Sequence, residues 1–111
     1  MANKQISFFI LLIFAVSAFL EVGGDIVVRK GLRGSSVPVV ITGMLMLGFY
    51  GLLLNTVKWD FSKLFGVYVA VFALASVLSG LLVFKENIPF STWLGLGIVI
   101  AGGLIIQFGP R

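Results

Sequence analysis

The chain has 111 residues, of which 59% are hydrophobic and 11% are charged, with a net charge of +4 and a mean hydropathy of +1.17. Soluble domains carry about 25% charged residues, so this composition indicates a membrane protein and argues against a water-soluble one. The sequence contains no cysteine and no histidine, which excludes disulfides, thiolate chemistry and histidine-based proton transfer. No nucleophile–base pair or metal-ligand set is evident either, so we expect no cofactor, no metal and no enzymatic activity.

Four apolar segments follow one another along the chain, at about residues 7–28, 37–57, 64–84 and 90–108. Each has roughly 20 residues, which is enough for a helix to cross the hydrocarbon core of a bilayer. Backbone groups in lipid must be satisfied internally, and runs of this length favour helices over barrel strands. The sequence therefore predicts an all-α integral membrane protein, with residues 1–111 forming a single domain of four transmembrane helices in the inner membrane.

The first segment contains Glu21, the most informative residue of the chain. A carboxylate deep in a membrane helix costs about 2.5–3.5 kcal/mol, and burial disfavours its charged form. Such a group could hold a proton or an organic cation in competition, although a neutral glutamic acid bonded to a neighbouring helix is the alternative. Ser17 and Asp25 lie four residues to either side, on the same helical face. Asp25 is either a second protonatable ligand or a structural partner of Arg29.

The eight basic residues flank the apolar segments, as is common in membrane proteins, so we expect no nucleic-acid partner. Four spans place one group of cations on one side of the membrane and a second group of equal size on the other. The two groups are Lys4, Lys58, Lys63 and Arg111, and Arg29, Lys30, Arg33 and Lys85. This balance predicts that copies insert in both orientations and pair antiparallel. A fixed topology set by the dense 29–33 cluster is the alternative.

Small residues recur at a spacing of four in the later segments. In the fourth segment Gly97 and Ala101 show this spacing, with Gly102 beside them, and such patterns mark helix–helix contacts. Spacing alone does not distinguish a contact within one chain from one between chains, and we assign these residues to the dimer interface. Tyr50 and Tyr68 combine a ring with a hydroxyl, so either could stack on a cation or orient a carboxylate.

Two stretches carry a family resemblance. The first-helix segment Phe19–Gly24, around Glu21, and the turn Phe84–Pro89, followed by Gly95 and the Gly-rich run 100–106, resemble the small multidrug resistance family of the drug/metabolite transporter superfamily. The resemblance covers nearly the whole chain. It implies an antiparallel pair of copies whose glutamates bind protons and cations alternately, and it gives Glu21 that role.

The chain also departs from the family pattern. Tyr68 falls where characterised members carry a tryptophan beside the binding site, and the segment Lys58–Lys63 replaces a Pro-Thr-Gly stretch. Asp25 is a further departure, which leaves open an uncharacterised branch of the family.

The expected function is proton-coupled export of small organic cations, multidrug or guanidinium-like, by alternating access in an antiparallel homodimer or heterodimer. Glu21 would bind proton and substrate, and Tyr68, Ser17 and Asp25 would complete the site. Two alternatives stay open: a transporter of the same superfamily that moves a lipid-linked or neutral metabolite without proton coupling, and a non-transporting membrane subunit.

Overall fold

The computed structural model describes residues 8–110, and it is all-helical over that range. The predicted start of the first segment at residue 7 and the cations Lys4 and Arg111 lie outside the described residues. All four helices are long and apolar enough to cross a bilayer, so the chain is an integral membrane protein. The helices are α1 (Phe8–Arg33), α2 (Val37–Leu54), α3 (Phe61–Leu82) and α4 (Phe90–Phe108).

The helix ends differ from the predicted segments where polar residues continue or interrupt a helix. α1 runs on to Arg33, beyond the predicted end at residue 28, because Arg and Lys are good helix formers and are favoured in the last turns. It ends where Ser35 adopts a left-handed conformation (φ 56°) and the Ser36 N–H donates to the Gly31 carbonyl oxygen at 2.8 Å. α2 ends at Leu54, earlier than predicted, and α3 begins at Phe61.

The helices pack in the spatial order α2, α1, α3, α4, so α1 and α3 form the centre of the chain. α1 and α2 approach closely at two glycines. A Cβ atom on Gly43 would lie 2.8 Å from the Gly24 carbonyl oxygen and 2.6 Å from Val28 Cγ2, so the helices could not cross at this distance with larger residues there.

The contact between α3 and α4 also depends on small side chains. A Cβ atom on Gly103 would lie 2.8 Å from the Ala70 Cβ atom, and one on Gly66 would lie 2.6 Å from Ile106 Cδ1. Gly66 and Ala70 of α3 therefore serve a contact within the chain.

The predicted dimer-contact residues of α4 lie on another part of its surface. A Cβ atom on Gly97 would meet open space out to 4 Å, Ala101 is exposed and Gly102 is half-buried. They remain available to a second copy, and the dimer itself stays a prediction.

The buried core lies at the end of the helix bundle that contains the α2–α3 turn. Apolar side chains also cover the outside of the bundle. Phe19, Leu52 and Phe90 are each at least 70% exposed. Helices that are apolar on the outside are suited to lipid contact. The buried core cluster consists of Ile13, Phe14, Ala18, Leu54, Val57, Leu64, Val67 and Tyr68.

Candidate functional site

A hydrogen bond between α1 and α3 forms the centre of the site. The Tyr68 hydroxyl donates to Glu21 Oε1 at a distance of 2.9 Å. Tyr68 is 2% exposed and Glu21 is half-buried near the middle of α1. The structure therefore brings together the carboxylate and the tyrosine named from the sequence.

A second tyrosine reaches the same carboxylate from α2. Gly24 faces Leu47 across the α1–α2 contact, so the antiparallel register places Tyr50, one turn further along α2, at the level of Glu21. The Tyr50 ring stacks on that of Tyr68 at a centroid distance of 5.7 Å and an angle of 21°, which brings Tyr50 close to the Glu21 carboxyl. The residue type suggested a cation or carboxylate contact for Tyr50 without placing it in the site. The register of the hairpin is the signal that would have placed it.

Further aromatic rings extend from the two tyrosines towards the α2–α3 turn. The Phe14 ring meets the edge of Tyr68 at 5.9 Å and of Trp59 at 5.5 Å. The Lys63 ammonium lies 4.5 Å from the centroid of Trp59. Aromatic faces attract cations, and here Lys63 occupies the face of Trp59, whereas Phe14 and Tyr68 are buried in the core.

Ser17 lies one turn before Glu21 and is fully buried in the packed end of α1. Its Oγ atom has no hydrogen-bond partner among the described residues. A ligand could reach this hydroxyl only if the surrounding helices moved apart. The structure thus separates Ser17 from the accessible part of the site.

Asp25 lies on the opposite side of Glu21 and lines a cavity of about 240 Å³ between α1 and α3. Within residues 8–110, no ion pair joins Asp25 to Arg29. The Arg29 guanidinium lies over the Phe84 ring instead, 5.4 Å from its centroid. Glu86, which the sequence places in a polar turn, lines the same cavity.

Comparison with known proteins identifies the family of the chain. The family model described as "Uncharacterised BCR, YnfA/UPF0060 family" matches residues 8–111. UPF0060 membrane protein PSPA7_1846 of Pseudomonas paraeruginosa is 31% identical over 100 residues, which cover 88% of this chain and 92% of the relative.

Similar proteins occur in other bacteria. UPF0060 membrane protein YfjF of Bacillus subtilis is 31% identical over 103 residues (91% and 94% of the two chains), and sll0793 of Synechocystis is 26% identical over 102 residues (91% and 94%). No solved structure matches the chain. These three relatives are named only as membrane proteins, and their names carry no mention of small multidrug resistance. The chain therefore belongs to the YnfA/UPF0060 family of membrane proteins.

Proposed function

We propose that this protein exports small organic cations in exchange for protons, and that it works in the inner membrane as an antiparallel dimer of the small multidrug resistance type. The observation that carries the proposal is the hydrogen bond from Tyr68 to Glu21 inside the span, at 2.9 Å. Placing an ionisable residue inside a membrane span costs free energy, and such residues usually mark a proton or ion pathway.

The exchange follows from competition for one carboxyl. Glu21 can hold a proton or stay charged beside a cation, and each occupant excludes the other. The hydroxyl of Tyr68 serves the charged form, because a carboxylate accepts a donated hydrogen bond strongly. The half-buried ring of Tyr50, which stacks on buried Tyr68, offers its other face to the organic part of the cation. Binding at Glu21 therefore couples the movement of the proton to the movement of the cation without a cofactor.

Two features support the dimer. In one chain Glu21 is only half-buried, so a second copy would complete the enclosure that a translocation site needs. The small residues Gly97 and Ala101 of α4 face away from α3 and would allow a close helix contact between copies. An antiparallel pair would present two equivalent conformations, each open to one side, and ligand occupancy would shift the population between them.

The test is transport by purified protein in proteoliposomes under an imposed pH gradient, with tetraphenylphosphonium as the cation. We expect proton flux that depends on the cation in the wild type and none in Glu21→Gln, which keeps the shape but cannot ionise. Asp60→Asn, the same chemical change just before α3, is the matched control and should transport normally.

Cation-driven proton flux that survives Glu21→Gln would overturn the mechanism. Uptake that ignores the pH gradient in both proteins would favour a carrier without proton coupling. No uptake by any variant would favour a non-transporting subunit.

A further inference from the structure

The cavity beside Asp25 is separate from the Tyr68–Glu21 pair and adjoins it. Its walls come from α1, from the last turns of α3 and from the α3–α4 turn. Glu21 itself does not line the cavity, but Asp25 does, one turn further along the same face of α1. On the other side of Glu21 the buried core cluster fills the space with apolar side chains. A ligand at Glu21 therefore has room to extend towards this cavity and not into the core.

Two carboxylates line this cavity, and both residues are exposed in the single chain. Asp25 comes from α1, and Glu86 comes from the α3–α4 turn. Lys85 has a left-handed backbone (φ 53°), and the Glu86 N–H donates to the Gly80 carbonyl oxygen at 3.0 Å. The same turn folds the Glu86 side chain back over α3, where its Oε1 would lie 2.5 Å from a Cβ atom on Gly80. Because Gly80 has no side chain, the Glu86 carboxylate has room to lie at the cavity.

The cavity's own cation does not neutralise these carboxylates. Within residues 8–110, neither Asp25 nor Glu86 forms an ion pair, and Arg29 lies over Phe84. The remaining polar walls are the hydroxyls of Ser76 and Ser79. The Ser76 hydroxyl donates its proton to the Phe72 carbonyl oxygen at 2.9 Å. Its oxygen therefore presents lone pairs, and no proton, to a ligand in the cavity.

We propose that this cavity is a second cation subsite, and that the protein binds organic dications with one charge at Glu21 and the other between Asp25 and Glu86. Asp25 follows Glu21 by one helical turn, a separation of about 6 Å, which a chain of four carbons spans. The volume of about 240 Å³ accommodates a trimethylammonium group. This inference rests on the proposed function for the role of Glu21, and it adds the substrate class.

The test compares two quaternary ammonium ions that differ only in the number of charges: butyltrimethylammonium and butane-1,4-bis(trimethylammonium). Binding to the full-length protein in detergent is measured by calorimetry. We expect the wild type to bind the dication about fivefold more tightly than the monocation, as a partly exposed ion pair allows. Asp25→Asn and Glu86→Gln should each reduce this preference.

The controls separate this inference from the proposed function. Asp25→Glu keeps the charge and should keep the preference, and Asp60→Asn should behave as the wild type. If wild type and both cavity variants bind the two ions with the same ratio, while Glu21→Gln still loses monocation binding, the subsite is refuted and the proposed function stands. If Glu21→Gln binds both ions as the wild type does, both proposals fail.

Discussion

The bond between Tyr68 and Glu21 links two spans through one carboxylate oxygen. Inside a membrane protein, a hydrogen bond to a charged group contributes more than one between neutral groups. Tyr68 is also held by its neighbours, since Tyr50 stacks on one face and Phe14 meets its edge. The hydroxyl is therefore positioned by packing, and the site keeps its shape if the hydroxyl alone is removed.

Tyr68→Phe isolates the contribution of that hydroxyl. A hydrogen bond to a charged group contributes about 1.5–3 kcal/mol, so we expect affinity for tetraphenylphosphonium to fall at least about tenfold. The helical content should be retained because the ring remains, and the melting temperature should fall because the unliganded protein loses the same bond. Thr42→Val is the control, since it removes a hydroxyl that bonds to the Pro38 carbonyl oxygen on exposed α2. Unchanged cation affinity in Tyr68→Phe would show that the hydrogen bond has no part in binding.

At the scale of the helices, the α1–α2 hairpin sets the geometry of the site. Its glycines let the two backbones approach, and the resulting register carries Tyr50 to Glu21. Tight packing of this kind tolerates little added volume, because an extra methyl group must displace backbone atoms.

Gly43→Ala tests the close approach. The new methyl group would meet Val28 and the Gly24 carbonyl oxygen, so we expect a loss of about 1–3 kcal/mol in the free energy of unfolding. Gly48→Ala, also in α2, is the matched control because its Cβ position is open. There alanine should be neutral or stabilise the helix by up to about 1 kcal/mol. Unfolding in detergent, followed by circular dichroism, measures both; equal effects would contradict a tight contact at Gly43.

The sequence predicted the helices better than their contacts. Hydropathy identifies four spans because each is a long apolar run, and the charge inside the first run singled out Glu21. Spacing could not tell whether the small residues of α3 meet another helix of the same chain, which they do through Gly103 and Ile106. The sequence placed Glu86 in a solvated turn, and it is exposed; its position at the cavity could not be predicted because the backbone of the α3–α4 turn sets it.

At the scale of the whole molecule, the chain is open on one side. α4 contacts α3 and leaves Gly97 and Ala101 uncovered, and the outer surface of the described helices is largely apolar. Helices in lipid associate through close packing of small residues, so the exposed stretch at Gly97 is the most suitable contact for a second copy.

Gly97→Leu tests that contact. The leucine has free space within one chain, so helical content should be retained, whereas the dimer fraction should fall because the side chain occupies the interface between copies. Gly48→Leu adds the same side chain at an open position of α2 and should leave the dimer intact. Cross-linking in liposomes measures the dimer fraction. A wild-type fraction in Gly97→Leu would place the interface elsewhere.

The central claim is that a proton and a cation compete for Glu21. It is tested most directly by measuring the protons released when tetraphenylphosphonium binds, by calorimetry in buffers of different ionisation enthalpy. A quaternary cation carries no proton of its own, so any release comes from the protein. We predict release over the pH range in which Glu21 is protonated before binding, and none from Glu21→Gln. Binding by the wild type without proton release at any pH would contradict the competition.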